Sequence, residues 1–72
     1  MTNEKIETIL TKAIEDIYSK QSEEILSKLG SVEDAVQSAI DGIDYNEVKG
    51  MTEKEAYRFY FYWASDCIAS VL

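Results

Sequence analysis

Apolar residues recur at three- and four-residue steps through most of the chain, and changes of phase divide it into helices. Ile6, Ile9, Leu10, Ala13, Ile14, Ile17 and Tyr18 share one face at about 100° per residue, which predicts an amphipathic helix over 3–20. Asn3 is its expected N-cap, and Glu4 and Glu7 suit the positive end of the helix dipole. The phase then breaks. Ile25, Leu26 and Leu29 point more than about 100° away from the first stripe. Either the helix bends at 20–22 or a second one starts there. Ser22 as a cap, followed by Glu23 and Glu24, favours a restart over 22–29.

Gly30 ends this segment, and Ser31 then caps a helix over 32–41 with Glu33 and Asp34 in its first turn. Its inward face is Val32, Ala35, Val36, Ala39 and Ile40; Gly42 stops it. Residues 43–50 read as a loop, because a lone extended piece has no strand to pair with. The last helix, over 52–71, has the clearest start. Thr52 and Glu55 form a capping box, with Met51 and Ala56 spaced as a hydrophobic staple. Its wide apolar arc includes Ala56, Tyr57, Tyr60, Phe61, Trp63, Ala64, Cys67, Ile68, Val71 and Leu72. It is the expected central core element. The fold class is therefore all-α, one domain over 1–72, a bundle of three to four helices.

Length makes folding demanding. A domain of 72 residues buries only about 60% of the surface of its unfolded chain. Disulfides within the chain are excluded by the single cysteine, Cys67, which points to a reducing cytoplasm. No basic leader opens the sequence, and no apolar run approaches the roughly 20 residues that span a bilayer.

Charge changes the picture most. The chain carries −7, from fourteen acids and seven bases. Direct contact with nucleic acid or an anionic membrane is disfavoured. The excess is concentrated over 31–47, where Glu33, Asp34, Asp41, Asp44 and Glu47 face no lysine or arginine in that segment. Such a stretch is either a solvated exterior or a docking surface for a basic groove, where carboxylates on a rigid helix imitate phosphates.

Candidate chemistry is sparse. With no histidine, neither a Ser-His nor a Cys-His pair can be built. Cys67 lies within the apolar arc and reads as a small buried hydrophobe. The neighbouring acids Glu15-Asp16, Glu23-Glu24 and Glu33-Asp34 diverge on a helix and read as solvated surface. A calcium loop from Asp44 fails because Val48 and Lys49 replace a ligand and the required glycine. No catalytic residue, metal site or cofactor is expected.

Phe59-Tyr60-Phe61-Tyr62-Trp63 cannot all face inward. With Tyr60, Phe61 and Trp63 buried, Phe59 and Tyr62 fall beside Arg58 and Asp66, and Arg58 can stack on Tyr62. That group is covered by another helix, forms a seam between copies, or binds another protein. The expected function is a non-enzymatic inhibitor docking on a basic or nucleic-acid-binding protein, similar in character to those mobile elements direct against host nucleases. The alternative is a small homo-oligomer serving as scaffold or small-ligand binder.

Overall fold

Each helix starts where a side chain can satisfy amides that lack an intrahelical acceptor. In the computed structural model, which describes residues 1–71, Thr2 caps α1 (Asn3–Tyr18) by accepting from the Lys5 amide at 3.1 Å. The cap is thus one residue earlier than Asn3. This places Met1 and Ile6 in staple positions, with Ile6 in the core cluster and the half-buried Met1 packed against it. Ser22 caps α2 (Glu23–Leu29), and Ser31 caps α3 (Val32–Asp41). Thr52 and Glu55 cap α5 (Glu53–Val71) with reciprocal hydrogen bonds of 3.1 Å. Leu72, assigned to the apolar arc by the sequence, lies outside the described residues.

Residues 43–50 are not a loop throughout. Tyr45–Lys49 form a fifth helix, α4, capped by Asp44, whose Oδ1 accepts from the amides of Asn46 and Glu47. Asp44 and Glu47 have the same spacing as Thr52 and Glu55. Ile43 and Val48 occupy the staple positions, and Val48 is fully buried. The segment was legible as a helix start. Its length hides it, since one turn shows no periodicity.

The centre of the bundle is α1, not α5. Ile6, Ile9, Leu10, Ala13, Ile14 and Ile17 are all buried, and α1 packs against α5, α3 and α4. The buried row of α5 is Ala56, Tyr60, Ala64 and Ile68. Its alanines let the two long helices approach closely, which moves the larger aromatics to the flanks. The Tyr57 hydroxyl also donates to Asp16 of α1, so Asp16 is not merely solvated surface. The radius of gyration is 12.0 Å, slightly above the roughly 11 Å of an average chain this long. The 36 × 19 × 17 Å outline accounts for the excess.

The break between α1 and α2 is a true restart. Ser19 and Gln21 side chains donate to the Asp16 and Ile17 carbonyls, closing α1 before Ser22 opens α2. Gly30 then separates α2 from α3 at φ +82° and ψ −158°, a region that residues with a Cβ rarely occupy. Apart from its two chain neighbours, no residue places an atom within 4 Å of where a Cβ would sit. Gly30→Ala is therefore expected to cost roughly 1–2 kcal/mol through backbone strain alone, readable in chemical denaturation. A loss no larger than that of an exposed control would contradict it.

Candidate functional site

The five acids of 31–47 all lie on the surface, but the structure divides them. Glu33 and Asp34 occupy the first turn of α3, whose Ser31 cap accepts from the Asp34 amide at 3.2 Å. Asp41, Asp44 and Glu47 lie beyond the other end of that helix or close to it. Glu33 and Asp41 are eight residues apart, about 12 Å along the axis at 1.5 Å per residue. Screening acts over about 8 Å at physiological salt, so the two groups work largely independently. Asp41 accepts from Gln37 at 3.0 Å. Among the described residues, none of the five forms an ion pair. The pairs present are Lys5–Glu53 at 2.8 Å and Lys12–Asp16 at 3.7 Å, on other parts of the surface.

The aromatic group is also divided. Tyr60 is buried, as the pattern predicts; Phe61, expected to be buried, is only half-buried; Phe59 and Tyr62 are 38% and 66% exposed. Arg58 and Asp66 are exposed beside them. Arg58 makes no cation–π contact among the described residues; Lys20 instead lies 5.2 Å from the centroid of Phe61. Trp63 departs from expectation, being 40% exposed, and Cys67 is exposed rather than a core residue. The reason is geometric. Phe59, Trp63, Cys67 and Val71 form an i, i+4 row alongside the buried row of α5, and α3 packs on α1 without closing over it.

What remains between α3–α4 and α5 is a groove with two recesses, and Trp63 belongs to both. One, about 300 Å³, is apolar and lined by Ile14, Tyr18, Ala35, Trp63, Ala64 and Cys67. Burial pushes the Tyr18 phenol up, with Cys67 adding to it. The other, about 280 Å³, has Phe59, Tyr60 and Trp63 on one side and Asp44 and Glu47 on the other. The Tyr60 phenol is pushed up by burial first, then by Glu47, Tyr45 and Asp44. Tyr45 is raised by burial and by Glu7, and Tyr57 by its hydrogen bond to Asp16.

Comparison with known protein families, curated proteins and solved structures finds no match for this chain.

The surfaces themselves therefore carry the functional reading. Among the described residues, no group of three or more cysteines and carboxylates is placed to hold a metal, and no helix is long and apolar enough to cross a membrane. Along the chain, the acidic stretch and the aromatics are separate features. The fold joins them at one end of the groove, because α4 turns Asp44 and Glu47 toward α5. The one sequence signal for this juxtaposition was the Asp44 cap, which marks where α4 starts.

Proposed function

We propose that this protein is a non-enzymatic, cytoplasmic interaction module that docks through Glu33, Asp34, Asp41, Asp44 and Glu47 on a basic protein partner. The surface of that partner is one built for nucleic acid, and docking blocks it. The observation carrying this reading is that the segment with the densest negative charge keeps its carboxylates exposed and without ion pairs among the described residues. A field of one sign on a rigid support accelerates encounter with an opposite surface and rejects wrong partners. Nucleic acid itself is repelled by the same field.

The test removes charge while keeping shape, with Asp34→Asn, Asp41→Asn, Asp44→Asn and Glu47→Gln combined. Asparagine still caps a helix, so α4 is retained. Immobilised wild-type protein is expected to capture basic proteins from the source cell at about 50 mM salt and to release them near 200 mM. The four-amide variant is expected to retain about tenfold less, equivalent to about 1.4 kcal/mol. The same captured proteins in the same amounts on both surfaces would refute the reading.

Exposed Phe59, Tyr62 and Val71 favour a second reading, self-association through α5 as a scaffold. A molecular mass that rises with concentration in light scattering would assign Arg58, Phe59, Tyr62 and Asp66 to that seam.

A further inference from the structure

The recess between α4 and α5 has a chemistry that the wider acidic surface lacks. Its volume, about 280 Å³, falls just below the roughly 300–1,000 Å³ of sites that enclose whole small molecules. It suits a single long side chain. One wall is aromatic: Phe59 and Tyr60 meet edge to face, centroids 5.2 Å apart at 86°, with the half-open Trp63 beside them. The faces of such rings attract cations, indole most strongly.

The facing side supplies acceptors. Asp44 uses Oδ1 to cap α4, and its Oδ2 has no protein donor among the described residues. Glu47 is likewise without an ion pair among them. Tyr60 as a residue is only 6% exposed, and its hydroxyl, which reaches solvent, has no hydrogen-bond partner among the described residues. These acceptors line one aromatic-walled recess. Their complement has positive charge, several donors, a flat face and an apolar stem. Lysine supplies the charge but no face to stack; arginine supplies all four. Anions are repelled by a chain of net charge −7.

We infer that this recess receives an arginine side chain of the partner, its guanidinium stacked on Trp63 and hydrogen-bonded to Asp44 and Glu47. The inference rests on the docking reading above and deepens it: one inserted side chain supplies register, and the remaining carboxylates supply long-range attraction. A desolvated anchor within a charged rim is the usual division of labour at interfaces.

The experiment titrates the whole chain with N-acetyl-arginine amide and follows the indole N–H of Trp63, the only tryptophan, by NMR. A saturable shift with a millimolar dissociation constant is expected. The citrulline amide, nearly the same shape without charge, is expected to bind about tenfold more weakly or worse. Asp44→Asn with Glu47→Gln is expected to weaken arginine amide about tenfold, with the helical spectrum unchanged. Glu23→Gln with Glu24→Gln removes as much charge from α2 and is expected to change it by no more than about twofold. Absence of a saturable shift, equal binding of citrulline amide, or equal losses in the two double variants would overturn the inference. The two proposals fail separately. If arginine amide does not bind but the four-amide variant still loses its basic partners, only the recess is wrong. If arginine amide binds as expected and capture is indifferent to the amides, the docking surface is wrong.

Discussion

Leu10→Ala is expected to destabilise the protein by about 3 kcal/mol, well beyond the cost of truncating a side chain at the periphery of the bundle. Leu10 is fully buried at the middle of α1, the helix against which α3, α4 and α5 all pack. Removing its branched end therefore leaves a void bordered by several elements, none of which can close it alone. A chain of 72 residues has roughly 4–11 kcal/mol of total stability, at about 0.05–0.15 kcal/mol per residue. The loss is thus a large share of the whole. It corresponds to a fall in melting temperature of about 12–24 °C, at about 4–8 °C per kcal/mol for a domain this size. Leu26, half-buried on α2, is the matching control and is expected to cost about 1 kcal/mol when truncated. Thermal melts followed at 222 nm compare the two. Equal shifts would show that the core is not centred on α1.

Val48→Ala is expected to cost about 2 kcal/mol, combining two lost methyl groups with the cavity they leave. Its distribution matters more than its size. A five-residue helix is far below the length that is stable alone, so α4 persists only through its Asp44 cap and the burial of Val48. Hydrogen exchange should show lost protection at the α4 amides before any change in α1 or α5. Because α4 carries Asp44 and Glu47, the same substitution should weaken binding of arginine amide although Val48 itself carries no charge. Protection in α4 that falls only in step with the global loss would mean that α4 is held by something other than Val48.

Much of this fold is legible in one dimension. Ser22, Ser31 and Thr52 are recognisable caps, and the stripe of α1 is continuous enough to identify six buried residues. Caps and stripes are local: they depend on hydrogen bonds and side-chain spacing within one or two turns. Asp44 belongs to the same class, but the helix it opens is too short for its stripe to confirm it. The carboxylates of 31–47 were visible as a group for the same reason, since charge is a property of the residue whatever its neighbours.

The miscast residues share a different cause. Trp63 and Cys67 sit on α5 at angles that a third helix could have covered, and periodicity alone assigns them to the core. Whether they are covered depends on how far α3 reaches across α1, a matter of crossing geometry between helices distant in sequence. The sequence by itself thus determined which segments become helices, where they begin, and where the negative charge lies. Only tertiary packing decided that α1 is the hub and that a groove stays open between α3 and α5. It also brought Asp44 and Glu47 opposite Phe59, Tyr60 and Trp63. Helix formation is governed by neighbours a few residues apart, whereas a groove is defined by surfaces that do not meet.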